Sequence, residues 1–177
     1  LQVSRLAVSD LSVIAVANGP GSYTGLRIGV AFAKGLAASR NLPLIAVSTL
    51  DILAASQAFS STRHRLIATV QAGRGRIIAG VYRVHKGRWE ITATPTTTTW
   101  EALLGQLEAG SYYVTGEIND AGQQAIAAMS AEGETAVMLV AAANRARRAG
   151  YLAQEAWRLH ENGNPLDFLP MKVLPVY

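Results

Sequence analysis

A chain of 177 residues, half of them hydrophobic and with 16 basic against 12 acidic side chains, can bury a core in one large or two small domains. The absence of cysteine excludes disulfide frameworks, cysteine-ligated zinc, iron–sulfur clusters and thiol nucleophiles, and makes a cytoplasmic setting the simplest expectation. No apolar run approaches a membrane span and Leu1 opens no basic-then-apolar signal pattern, so no membrane association is expected; the net charge of +4 favours only mild, non-specific attraction to nucleic acid.

In chain order, Ser12 to Ala17 is a short apolar, β-branched run that predicts a buried strand. A loop over Asn18 to Thr24 follows, and "GLRIGVAFAKGLAASR", Gly25 to Arg40, predicts a helix stopped by Asn41 and Pro43. Leu44 to Val47 predicts a second buried strand, and Ser48 is placed to cap a helix from Thr49 to about Ala58. Strand, helix, strand, helix is an α/β unit with parallel strands. The polar stretch Ser56 to Arg65 predicts a lobe boundary, with residues 1–62 in a first lobe and 63–177 in a second α/β lobe. Beyond it, Leu66 to Val70, Arg76 to Tyr82 and Trp89 to Thr94 predict an antiparallel meander. Thr96 to Thr99 leads into a short helix, Trp100 to Glu108, with a Thr as its cap. Tyr112 to Thr115 then predicts a strand, Asp120 to Met129 a helix, Ala136 to Val140 a strand, and Ala142 to His160 a long helix with Arg145, Arg147 and Arg148 near its start. The tail "NPLDFLPMKVLPVY" is interrupted by prolines and is expected to be extended.

The loop before the first helix fails each motif with a defined chemistry. A P-loop needs Lys where Leu26 stands, and five residues separate Gly19 from Gly25. A Rossmann fingerprint needs Gly where Thr24 stands. A nucleophile elbow fails because Ser22 follows Gly21 directly. What remains is generic: Gly19, Gly21, Ser22, Thr24 and Gly25 at a helix N-terminus expose backbone N–H groups able to hold an anion. The same residues also make a plain turn in which Ser22 or Thr24 caps the helix. Within the helix, Gly25, Gly29, Ala33 and Ala37 recur every four residues and leave one stripe nearly bare. Each helical Gly costs roughly 0.8–1.0 kcal/mol relative to Ala, so a close approach is expected, either of the sheet beneath or of a helix from another subunit.

"NGPGSYTGLRIGVAFAKGLA" followed by "LPLIAVSTLDILA" closely resembles the signature of the TsaB (YeaZ) family, long filed as glycoprotease-like or M22 peptidase-like proteins. The resemblance is dense from about Leu11 to Ala54 and thinner afterwards, where "QAGRGRIIAGVY", "VTGE" and "LPVY" keep the family's order. It implies an actin and sugar-kinase type α/β fold of two lobes. The chain starts inside a helix that the family places after an initial hairpin and strand, so the first lobe is expected to be incomplete at its N-terminus. Gln71, Gly73, Arg76 and Ile78 replace the family's usual Asp, Arg, Glu and Tyr.

The resemblance further implies a non-catalytic subunit of the tRNA threonylcarbamoyladenosine machinery. Such a subunit pairs with a catalytic TsaD-like paralogue through first-lobe helices, and a TsaE-like ATPase joins the pair. Gly25, Leu26, Ile28, Gly29, Phe32 and Ala33 are then the interface, with Gly25, Gly29 and Ala33 permitting close approach and Leu26, Ile28, Val30 and Phe32 shared between core and contact; alone, a homodimer is the expectation. No intrinsic cofactor is implied, ATP being used by the assembled complex, and tRNA is met through that complex. His64, His85 and His160 have no ligand spacing, so no metal site is expected, and no nucleophile–base pair supports proteolysis. Two alternatives stay open: a stand-alone nucleotide-binding or phosphotransferase-like protein of the same fold, and a tRNA-binding module. The latter would use Arg63 with Arg65, Arg74 with Arg76, and Arg145 with Arg147 and Arg148, although no aromatic residues interleave with these clusters.

Overall fold

The computed structural model describes residues 7–58, 61, 63–129 and 135–177. The chain folds into two compact units, Leu1–Ser48 with Leu152–Tyr177, and Thr49–Tyr151.

The first unit contains β1 (Ile14–Gly19), α1 (Tyr23–Ser39) and β2 (Leu44–Ser48), and most of α5 (Ala149–Asn162). Strands β1 and β2 pair in parallel, Ile14 opposite Leu44 through Ala17 opposite Val47, with a register shift before Gly19. Parallel pairing needs a long crossover, and α1 supplies it. Val30, Ala33 and Ala37 of α1 close a small core with Leu44 and with Val173 of the tail. The tail is not simply extended: Pro165–Phe168 and Pro170–Lys172 form 3₁₀ turns. Each proline stands at the first helical position, where its fixed φ suits a helical turn and its missing N–H is no loss.

The second unit holds a six-stranded sheet in the order β5-β4-β3-β7-β8, with β6 also on β4. Its strands are β3 (His64–Gly73), β4 (Arg76–His85), β5 (Arg88–Ile91), β6 (Thr96–Thr98), β7 (Gly110–Gly116) and β8 (Thr135–Leu139). β3 pairs antiparallel with β4 and parallel with β7, and β7 pairs parallel with β8. The helices are α2 (Thr49–Ala55), α3 (Trp100–Gly105) and α4 (Asp120–Met129). Successive strand residues face opposite sides of the sheet. Leu66, Ala68, Val70 and Tyr82 therefore meet Leu50, Leu53 and Ala54 of α2. Ile67, Ile77, Tyr112 and Val114 meet Trp100, Leu103 and Ile126 of α3 and α4 on the other side. Burial on both faces explains the unbroken apolar run in β3. Gly122 lies under the Trp100 ring, where a Cβ would come within 2.4 Å of Cε2. Asn119 Oδ1 accepts from both Trp100 Nε1 at 2.9 Å and Gly122 N at 3.0 Å, which fixes the start of α4.

Several expectations are corrected. The units divide at Ser48 and Thr49, and again at Tyr151 and Leu152, rather than at residues 62 and 63. The reason is that the apolar face of α2 packs on β3 and β4; the polar stretch Ser56 to Arg65, partly outside the described residues, follows that helix as a connection. α1 begins at Tyr23, two residues before the predicted start, because Ser22 takes the cap. The predicted third meander strand stops at Ile91, and the threonine run forms β6 on the edge of β4, as suits β-branched residues. The predicted helix Ala142 to His160 breaks into a 3₁₀ turn at Ala142–Asn144 and α5 from Ala149.

Candidate functional site

α1 has two distinct faces. Leu26 is half-buried, and Val30, Ala33 and Ala37 are buried on β1 and β2. Opposite them, Ile28 and Phe32 are 65% and 74% exposed. Gly25, Gly29 and Gly35 are exposed as well. A Cβ built on Gly29 or Gly35 meets nothing within 4 Å, and one on Gly25 meets only the Ser22 side chain at 3.5 Å. Among the described residues nothing in the unit therefore requires these glycines.

The small-residue stripe splits for a geometric reason. A four-residue step advances about 400°, roughly 40° past a full turn, so Gly25 and Ala33 lie about 80° apart. Ala33 is 6% exposed and belongs to the core, which removes it from the expected interface. Val30 lies with it, whereas Ile28 and Phe32 belong wholly to the outer face.

The preceding loop is built by two local demands. Ser22 Oγ accepts from Gly25 N at 3.4 Å, the N-cap bond. Gly19 has φ +122°, and a Cβ there would lie 2.0 Å from the carbonyl oxygen of Val176. The tail thus runs directly against the loop: Val176 N donates to Asn18 O at 2.7 Å, Asn18 Nδ2 donates to Leu174 O at 3.3 Å, and Lys34 Nζ donates to Val173 O at 3.0 Å. The rings of Tyr23 and Tyr177 lie 4.6 Å apart, joining the tail to the start of α1. Gly21 is half-buried against Leu26, and Thr24 is exposed. Local pattern carries no sign of the tail's contact with this loop, because it joins residues far apart in the chain.

The arginines separate into two settings. At the start of β3, Arg65 Nη1 is engaged by Glu108 Oε2 at 2.8 Å and by Tyr112 Oη at 2.7 Å. At the other end of that strand, Arg74 and Arg76 lie at the β3–β4 turn. Arg147 Nη2 donates to Glu117 Oε1 at 2.7 Å, and Glu117 Oε2 accepts from Gln71 N at 2.8 Å. Glu117 escaped sequence reasoning as a functional residue; only its place in "VTGE" marked it. The histidines sit in local contacts: His64 edge-on to Tyr113, His85 Nδ1 2.7 Å from Glu90 Oε2, and His160 beside Phe168 and Trp157. Among the described residues no group of three or more His, Cys, Asp or Glu could hold a metal, and no helix is long and apolar enough to cross a membrane.

Over residues 1–159 the sequence matches the family described as TsaD: tRNA N6-adenosine threonylcarbamoyltransferase. The chain belongs to that family. Within it, the likeness is to the TsaB/YeaZ members. The chain is 48% identical over 88 residues to the tRNA threonylcarbamoyladenosine biosynthesis protein TsaB of Bacillus subtilis, covering 48% of this chain and 36% of that protein. It is 37% identical over 90 residues to TsaB of Escherichia coli, covering 50% and 39%. YeaZ from Pseudomonas aeruginosa superposes with a TM-score of 0.71 at 25% identity, over 99% of this chain and 79% of that one. The TsaB/YeaZ resemblance and the α/β, actin-like fold expected from it are thus borne out. The chain spans little more than a third of the length of the two curated relatives it matches.

Proposed function

We propose that this chain is a non-catalytic scaffold subunit of the machinery that forms threonylcarbamoyladenosine on tRNA, acting in the cytoplasm. In this reading it pairs with a TsaD-like catalytic paralogue, and a TsaE-like ATPase joins the pair. The observation that carries the reading is the outer face of α1. Gly25 and Gly29 beside exposed Ile28 and Phe32 make an apolar strip that nothing in the unit demands among the described residues. Bare glycines let a second helix backbone approach closely, and flanking apolar side chains supply the buried area. The role of the TsaB relatives in tRNA threonylcarbamoyladenosine biosynthesis supports the pathway. The family's TsaD description supports the choice of partner. In this reading the chain supplies no catalytic residue, and ATP is used by the assembled complex.

The test is light-scattering mass after size exclusion, with the chain alone and mixed with the TsaD-like paralogue of its source organism. A heterodimer that Gly29→Leu abolishes, with the sheet unit's melting transition unchanged, is the expected result. Unchanged affinity in that variant overturns the interface assignment. Modified tRNA produced by the chain without the paralogue overturns the non-catalytic one.

A further inference from the structure

The carboxyl end of the parallel strands in the sheet unit collects arginines from two distant stretches of chain. Arg74 and Arg76 come from the β3–β4 turn, and Arg145, Arg147 and Arg148 from the connection between β8 and α5. Glu117 ties the two stretches together. One of its carboxylate oxygens accepts from the backbone of Gln71, near the end of β3, and the other from Arg147. Arg148 Nη2 donates to Ala143 O at 3.1 Å, which holds that connection in a fixed shape. Arg74 and Arg76 are exposed and Arg145 half-exposed, and none of the three has an ion-pair partner among the described residues. Asp120 and Glu101 open α4 and α3, which cover the opposite face of the sheet from α2.

The turn itself breaks a local rule. Gly73, Arg74 and Gly75 have φ of +72°, +53° and +73°. Arg74 is thus the first central residue of a two-residue hairpin loop in which both positions are left-handed, a setting that favours Asn, Asp or Gly. The backbone would be better served by almost any of those residues. Arg74 carries its guanidinium at the exposed tip of that turn, as Lys86 carries its ammonium at the β4–β5 turn.

We infer that this arginine rim binds the phosphate backbone of RNA. The rim has charge without an apolar centre, which suits phosphate contacts and does not suit a protein interface, whose energy comes from a desolvated core. The choice of RNA over DNA rests on the proposed role in tRNA modification, whereas the phosphate contacts rest on the geometry alone.

The experiment measures binding of a tRNA transcript to the full 177-residue chain by fluorescence anisotropy across a salt series. Arg74→Asn turns the loop into Asn-Gly and should leave thermal stability unchanged or raised. It should weaken tRNA binding at least about threefold and reduce the slope of log K against log salt by about 1. Arg145→Gln should act in the same direction, and Arg65→Gln, at the other end of β3, should not. Equal tRNA affinity in Arg74→Asn and the unaltered chain overturns the inference. So does a variant that keeps tRNA but loses the paralogue, which would assign the rim to an acidic protein surface. Pairing with the paralogue measured on the same samples separates this inference from the scaffold reading: Gly29→Leu should lose the paralogue and keep tRNA, and Arg74→Asn the reverse.

Discussion

The six-stranded unit covers both faces of its sheet, with Trp100, Tyr82 and Tyr112 each 1% exposed, whereas the two-stranded unit leaves Ile28 and Phe32 on the open face of α1. In the first, α2 covers one face of β3 and β4, and α3 and α4 cover the other face with β7. The second closes its small core with a tail segment, Val173, and still carries an uncovered apolar strip. The difference teaches where to look for stability and where to look for recognition. Large side chains that meet inside the unit hold it together, and large side chains that meet nothing inside it are available to another molecule. Glycine sharpens the contrast. Gly122 in the sheet unit is required by the Trp100 ring above it, while Gly29 is required by nothing in its own unit.

The largest expected effect tests the closed unit. Trp100→Ala removes a fully buried ring and orphans one bond to Asn119, and should destabilise the sheet unit by about 3–5 kcal/mol in urea unfolding. A loss below about 1 kcal/mol would mean that this core does not carry the unit. Next comes the tail. Gly19→Ala places a methyl against the Val176 carbonyl at a left-handed φ, so the tail should lift away at a cost of about 1–3 kcal/mol. Limited proteolysis should then cut near Leu174 while the sheet unit stays resistant, and a tail that remains protected would show that the contact at Gly19 does not hold it.

A smaller effect comes from Tyr82, whose hydroxyl donates to Asp51 Oδ1 at 2.8 Å. Burial first, and then the charge and hydrogen bond of Asp51, push its phenol well above the usual tyrosine range. The folded state therefore keeps the proton where the unfolded chain loses it. Below pH of about 10 both states are protonated and this contribution to stability is complete. Above it the unfolded chain ionises and stability falls, by up to about 1.4 kcal/mol per pH unit. Tyr82→Phe should cost about 1 kcal/mol at neutral pH and flatten the decline between pH of about 10 and 11, read from denaturant midpoints. The smallest change has the opposite sign. Gly29→Ala should stabilise the two-stranded unit by up to about 0.8–1.0 kcal/mol, since its Cβ meets nothing, yet should weaken pairing with the paralogue. If pairing strengthens instead, the bare strip is not a contact surface and the comparison between the units fails.

Much of this was legible along the chain because it is local. The apolar runs of β1, β2, β3 and β7, the Ser22 cap and the turn at Gly73 to Gly75 depend on residues a few positions apart. The family signature lies in the same local text, from the loop through α1 to α2. The unit boundary was misread because polarity marks a surface connection and does not say which sheet the preceding helix has joined. The two faces of α1 were half legible for a related reason. Helical periodicity groups Ile28 with Phe32 and Val30 with Ala33, but it does not say which group the sheet covers.

By itself, then, the sequence determined most of the element types, the Ser22 cap and the family, all set by backbone preference and short-range pattern. Tertiary structure alone decided that Gly19 answers to a carbonyl of the tail, that Ala33 turns inward while Gly29 turns outward, and that Glu117 joins Gln71 to Arg147. Each of these depends on an atom delivered by a remote segment, and no local preference encodes which remote segment arrives.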